Sequence, residues 1–205
     1  MPGIQFSELP HAWQGFFQAC ASCTACDLSK SRSQVVIYRG ALQAPLLIIG
    51  EGPGREEDRL GQPFVGRSGH LLDAALRALE FPEDSYHICN IVKCRPPENR
   101  TPLPEEAAAC RKFLNAQFQL VKPSVILLMG SPAYRYFTGR SDPISRVRGV
   151  WIEKQGYDIL PTFHPAYILR NQRMRDVFWE DFRKLREKME ERQLLQPLAY
   201  PFPEK

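Results

Sequence analysis

The sequence predicts an α/β fold in which a mostly parallel sheet is covered by helices on both faces. Two observations carry this. Short apolar runs recur at Pro45-Leu-Leu-Ile-Ile-Gly50, Tyr86 to Val92, Ser124 to Met129 and Ile159 to Phe163, as strands buried on both faces require. Between most of them lie longer segments whose apolar residues recur at helical spacing, and that alternation is the signature of parallel strands joined by crossover helices. In such sheets ligands sit beyond the carboxyl ends of the strands. The loops that start at Gly50, Asn90, Gly130 and Phe163 are therefore the ones to read for function.

In chain order, apolar spacing predicts a short amphipathic helix over Phe6 to Phe17, followed by a cysteine-rich turn. After the first strand, Glu51 to Gly69 reads as a loop and Leu71 to Leu79 as a helix. Pro96, Pro97, Pro102 and Pro104 mark an irregular stretch after the second strand. Helices are expected over Glu105 to Leu120, from Ser131 to Phe137, and over Arg175 to Gln193; Val147 to Ile152 reads as a further strand. Residues 1–195 are expected to form a single domain, with 196–205 as a proline-containing tail.

The 205 residues suit one sizeable core, and 43% hydrophobic with 24% charged residues is ordinary for a globular chain. A net charge of +4 permits nucleic-acid binding without arguing for it. Arg135, Arg140, Arg146 and Arg148 fall close together, as do Arg170, Arg173 and Arg175; a solvated basic face explains them as readily as a phosphate-binding one. No apolar run is long enough to cross a membrane, and Met1 to Phe17 lacks the basic start and apolar core of a secretory signal. A cytoplasmic, nucleoid-associated location is the expectation, and in a reducing compartment six cysteines call for something other than disulfides.

Cys23 and Cys26 are spaced C-x-x-C, and Cys94 and Cys110 are fifteen residues apart. Four thiolates from two such places can hold zinc or an iron–sulfur cluster. Cys20 adds an overlapping C-x-x-C, so spacing leaves open which of the three N-terminal cysteines bind; Cys89, inside a predicted strand, reads as a small buried hydrophobe.

Gly50-Glu-Gly-Pro-Gly54 follows a buried strand but is no dinucleotide fingerprint, because Arg55 stands where the last glycine should be and Pro53 lacks a backbone donor. What remains is a tight turn presenting the Glu51 carboxylate. Phe64, among glycines and a proline, offers a ring face for stacking a flat base or else anchors its loop in the core. Asn90 carries a donor and an acceptor that can match the O4 and N3 edge of uracil, whereas cytosine presents the opposite pattern; capping a loop is its alternative role. His164 can donate to a developing oxyanion or cap the following helix, and Arg170 with its apolar neighbours can meet phosphate and groove.

Taken together, Gly50-Glu-Gly-Pro-Gly54 with Glu57-Asp58, Gly61-Gln-Pro-Phe-Val-Gly-Arg67, Asn90-Ile-Val-Lys-Cys-Arg-Pro-Pro97 with Asn99-Arg100, and His164-Pro-Ala-Tyr-Ile-Leu-Arg170 resemble the motifs of the family 4 uracil-DNA glycosylases, in the same order. The match runs from about Cys23 to Arg186. The resemblance implies a three-layer α/β/α sandwich around a central four-stranded parallel sheet. It implies a structural [4Fe–4S] cluster held by Cys23, Cys26, Cys94 and Cys110, with Cys20 and Cys89 outside the pattern. It also implies Phe64 stacked on a flipped uracil, Asn90 reading its edge, His164 at its O2, and backbone groups of Glu51 and Gly52 lining the pocket. The chain lacks the basic, histidine-containing insert of a related group that becomes trapped on DNA. It also differs in its first motif from the family 5 and thymine-mismatch enzymes.

The implied activity is hydrolysis of the N-glycosidic bond of uracil in single- or double-stranded DNA, leaving an abasic site. Glu51 and Asn99 are the candidates for orienting the water, and Arg146, Arg148 and Arg170 for gripping phosphates. The chain is expected to act as a monomer, with later base excision repair proteins as its partners. Other readings are the same fold acting on hypoxanthine or xanthine, a non-catalytic iron–sulfur redox protein, and a structural zinc module.

Overall fold

The computed structural model describes residues 9–198. Its architecture follows from the apolar runs. Strands β1 (Arg39–Gly40), β2 (Leu46–Gly50), β3 (Tyr86–Asn90), β4 (Val125–Met129), β5 (Ile152–Lys154) and β6 (Tyr157–Thr162) form one sheet in the order β1-β3-β2-β4-β6-β5. The four central strands run parallel, in registers such as Ile48 opposite Ile88 and Leu127 opposite Leu160. The short β1 and β5 pair antiparallel at the two edges. The expected four-stranded parallel sheet is thus the centre of a larger, mixed one.

Period-two alternation along each strand builds two cores. Leu46, Ile48, Ile88, Val125, Leu127 and Leu160 face one side. There they meet Leu72 and Leu76 of α4 (Arg67–Ala78), Ile168 of α8 (Pro165–Arg170), and Phe178, Phe182 and Leu185 of α9 (Arg175–Glu191). Leu47, Ile49, Cys89, Ile126, Leu128 and Ile159 face the other. There they pack on Leu28 of α2 (Leu28–Ser31), Ala107 and Leu114 of α5 (Pro104–Val121), and Ala133 and Tyr134 of α6 (Ser131–Thr138). Each fully buried side chain of this size contributes about 1.5–3 kcal/mol, so the sheet is pinned from both faces. Outside α5 lies α1 (His11–Ala21), whose Trp13 and Phe16 pack with Phe113 and Tyr38.

Helix boundaries follow local chemistry. Pro104 starts α5, where the Leu103 amide donates to Glu106 at 2.8 Å. The first helix begins after Pro10 rather than at Phe6; Phe6 to Glu8 lie outside the described residues, as do residues 199–205 of the expected tail. The start of that tail is held to α9, where the Leu198 amide reaches Glu190 and Arg186 reaches the Gln196 carbonyl.

Two expectations are corrected. Glu51 to Gly69 is not all loop: Arg55–Leu60 forms α3, six residues too polar for apolar periodicity to reveal, closed by Gly61 at φ 72°. Val147 to Ile152 is not a strand. Ile144–Val147 forms α7 after Pro143, Gly149 turns at φ 68°, and β5 begins only at Ile152. Among the described residues no helix is long and apolar enough to cross a membrane.

Candidate active site

The carboxyl ends of the parallel strands open into a cleft lined by Glu51, Gly52, Phe64, Asn90, Asn99 and His164. Parallel pairing carries on past the strand ends. The Ile91 amide donates to the Gly50 carbonyl at 2.9 Å and that of Val92 to the Glu51 carbonyl at 3.3 Å, so the two loops leave the sheet as a pair. Gly50 has no room for a side chain. A Cβ there would lie 2.5 Å from Asn90 Oδ1 and 2.5 Å from Phe64 Cζ, so amide and ring close over bare backbone.

Asn90 is 2% exposed, and its Oδ1 has no hydrogen-bond partner among the described residues. A buried acceptor left open costs about 1–3 kcal/mol, which marks it as waiting for a donor from outside. Phe64 adopts φ 56°, a left-handed conformation unusual for an aromatic residue, and its ring centroid lies 5.7 Å from that of His164. Glu57 is what holds this loop. Its carboxylate accepts from the amides of Gly54 at 3.0 Å, Val65 at 3.0 Å and Gly66 at 2.8 Å, tying the glycine turn to the Phe64 segment. Sequence reasoning gave Glu57 no role of its own; its position three residues after Gly54, as in a capping box, was the available signal.

His164 caps α8: its Nδ1 accepts from the Ala166 amide at 3.2 Å. The capping reading therefore holds, and a capped Nδ1 leaves the proton on Nε2. Burial, with a smaller contribution from the Arg170 charge, lowers its pKa to about 4, so the imidazole is neutral at pH 7. Burial raises the pKa of the Glu51 carboxyl, opposed by a hydrogen bond from the Thr101 side chain. Asn99 ends a one-turn 3₁₀ segment with φ 58°, next to Glu98 at φ 54°; its Oδ1 accepts from Arg95 Nε at 2.8 Å. Two adjacent left-handed residues without glycine store strain beside the cleft.

Arg170 lines the cleft, and so do Arg55 and Arg67, both exposed, which sequence reasoning did not single out. Arg146 is exposed on α7. Arg148 is a correction. Its guanidinium turns inward to Asp181, with Nε 2.9 Å from Oδ2, and does not present itself to a phosphate. Asp181 is fully buried and also accepts from Thr162 Oγ1 at 2.7 Å, and a carboxylate removed from water requires such a cation.

A second cavity lies beside the first. Cys20, Cys23, Cys26, Cys94 and Cys110 line it together with Arg32 and Lys93; Cys89, on β3, does not. Arg32 donates to Cys94 Sγ at 3.1 Å. Burial pushes the Cys20 thiol up to about 12 and that of Cys110 to about 11, each opposed in part by the Lys93 charge. Such thiols release their protons only to a metal or other strong electrophile. Among the described residues no three His, Cys, Asp or Glu side chains converge to hold a single metal ion.

Fold and sites thus define an α/β/α protein with an amide-, imidazole- and ring-lined cleft beyond its parallel strands and a cysteine cavity alongside. Comparison with known proteins sharpens this. Residues 37–186 match the Uracil DNA glycosylase superfamily. A type-4 uracil-DNA glycosylase of Thermotoga maritima is 47% identical over 166 residues, covering 79% of this chain and 86% of that protein. The type-4 enzymes of Archaeoglobus fulgidus and Sulfurisphaera tokodaii are 36% and 38% identical, covering 81% of this chain and 87% and 80% of theirs. The chain belongs to the uracil DNA glycosylase superfamily and, within it, to the type-4 uracil-DNA glycosylases.

Proposed function

We propose that this protein excises uracil from DNA by hydrolysing the N-glycosidic bond, leaving an abasic site for later repair enzymes. The observation that carries the reading is the open, buried Oδ1 of Asn90 at the cleft floor. Uracil offers N3–H to that oxygen and O4 to the amide N–H. Cytosine offers an acceptor and a donor in the opposite order and leaves both amide groups unmatched. Similarity to curated type-4 enzymes over most of their length supports the same assignment.

A base inside a duplex is out of reach, so the nucleotide must be flipped into the cleft. Arg170, Arg55 and Arg67 at the rim supply cations for phosphate, and Arg146, exposed on α7, is a further candidate. Tyr167 and Leu169 are exposed on α8 and supply apolar surface to fill the vacated stack. In the cleft Phe64 lies against the base. As the bond to the sugar lengthens, negative charge grows on the uracil. The neutral His164, donating from Nε2, stabilises it at O2 together with backbone amides of the Glu51–Gly52 turn. Glu51, in partly desolvated surroundings, accepts a hydrogen bond from the attacking water, and the Asn99 amide hydrogens help to hold that water in line.

The cysteine cavity fits a [4Fe–4S] cluster on Cys23, Cys26, Cys94 and Cys110. The cluster would cross-link the N-terminal turn to α5 and to the loop after β3, and we assign it no electron transfer. The chain acts as a monomer in the cytoplasm, on the nucleoid. The test is an assay of anaerobically purified, brown protein on an oligonucleotide with one uracil and on its thymine twin. Abasic sites with uracil alone are expected. Protein that retains its iron and leaves the uracil strand intact would overturn the assignment.

A further inference from the structure

Below the Asn90 amide runs a chain of buried polar groups that the reaction does not use. Lys93 is 1% exposed, and its Nζ donates to the Asn90 carbonyl at 2.8 Å and to Gln117 Oε1 at 2.5 Å. Gln117 Nε2 in turn lies 2.7 Å from His87 Nε2 and 3.1 Å from the Ile37 carbonyl, and His87 Nδ1 lies 2.6 Å from the Ala41 carbonyl. A carbonyl can only accept, so the Ala41 contact puts the His87 proton on Nδ1. That leaves His87 Nε2 to accept from the Gln117 amide, and it turns the Gln117 oxygen towards Lys93. The donor of every link is thus fixed: His87 donates to Ala41, Gln117 to His87, and Lys93 both to Gln117 and to the Asn90 carbonyl. Tyr38 stacks on His87 at 4.9 Å with an interplanar angle of 7°, and Trp13 lies 5.6 Å from the same ring, sealing the chain from water.

Burying a lysine this completely is costly unless its hydrogens are used. Two of its bonds go to Asn90 and Gln117; Cys89 Sγ is a further neighbour of the ammonium. Its backbone amide points at Cys110, and its side chain lines the cysteine cavity. One residue therefore touches both sites.

We propose that Lys93 is a positioning residue: anchored through Gln117 and His87, it fixes the Asn90 peptide at the strand end and so sets where the base-reading amide stands relative to the cysteine cavity. The kinetic consequence rests on the functional reading above; the structural one does not. Lys93→Met keeps the stem and removes the donors. Gln117→Leu removes the anchor while leaving Lys93 in place, and so covers the event that the first variant does not fold. For variants with wild-type iron content, the expected result is a kcat for uracil excision lowered about ten- to a hundredfold, with KM for the uracil strand and affinity for undamaged DNA within about twofold. Equal losses in kcat and in affinity, or an unchanged kcat, would overturn the kinetic claim. The crystal structure of Gln117→Leu needs no activity: an Asn90 amide displaced from its wild-type position supports the proposal, and one that has not moved refutes it. Inactivity of the wild-type protein would be a separate failure, of the functional reading, and would leave the crystallographic result to stand.

Discussion

The cleft and the cysteine cavity hang from the same strand, with Asn90 in one and Cys94 in the other, yet they are built on opposite plans. The cleft keeps an unpartnered buried acceptor, a left-handed phenylalanine and two adjacent left-handed residues at Glu98 and Asn99. The cavity is lined by five thiols, with cations from Arg32 and Lys93 beside them. Open polar atoms and stored strain suit a site whose occupant comes and goes. Thiols from the chain's first turns, from the loop after β3 and from α5, lining one cavity, suit an occupant that stays. The difference lies in what surrounds each group rather than in residue type, and it predicts that damage to either site is read out differently.

The largest effect is expected at Gly50. Gly50→Ala sets a methyl group against both Asn90 Oδ1 and Phe64. Displacing two pocket groups together should lower uracil excision by about a thousandfold or more. Iron content and brown colour should stay at wild-type level, because Gly50 does not line the cysteine cavity. A variant that cleaves normally would show that amide and ring need no such closeness. His164→Ala comes next. Loss of one donor to the developing oxyanion should slow single-turnover cleavage about a hundredfold while DNA affinity changes little. Matching losses in rate and binding would make the histidine a binding group instead.

On the cavity side the contrast is between two buried cysteines only five residues apart. Cys94→Ser should strip most iron and sulfide from the protein and lower its Tm by roughly 10 °C, since ligation and folding are coupled. Cys89→Ser should keep its full complement, because Cys89 packs in the sheet core and does not line the cavity. Equal iron loss in both would mean that the cavity, and not ligation, is what the serine disturbs.

How much of this the sequence reveals depends on whether a feature is local. The parallel centre is legible because strands buried on both faces must be apolar throughout, as Leu46 to Ile49 and Val125 to Met129 are. The edge strands β1 and β5 carry no such pattern, and α3 is too short and too charged for periodicity to reveal. Glu51, Gly52, Phe64, Asn90 and His164 are legible because each stands just past or at a strand end or in a glycine-rich turn. The inward turn of Arg148 is not legible because its partner, Asp181, lies far away in sequence on α9. The Lys93 chain escapes for the same reason, since it joins side chains and carbonyls from three separate segments, around Ala41, His87 to Lys93, and Gln117.

The smallest effect compares the two regions through their histidines. Both are held neutral by burial, His164 at about 4 beside the cleft and His87 at about 3 beneath it, from an ordinary value of 6.5. The folded protein therefore binds no proton at these rings until well below the pH at which the unfolded chain does. Between about 6.5 and the folded values the unfolded state holds more protons, so stability rises with pH in that window and levels off above it. For His87, which is fully buried, linkage gives a loss of about 2 kcal/mol on going from about pH 7 to about pH 5. Urea unfolding across that range is the measurement. His87→Gln should flatten the slope markedly whatever it does to absolute stability, and His164→Ala should flatten it less, because its folded value of about 4 lies nearer the ordinary one. An unchanged slope in His87→Gln would mean that His87 is already a charged imidazolium in the folded protein, with Nε2 donating to a flipped Gln117 amide.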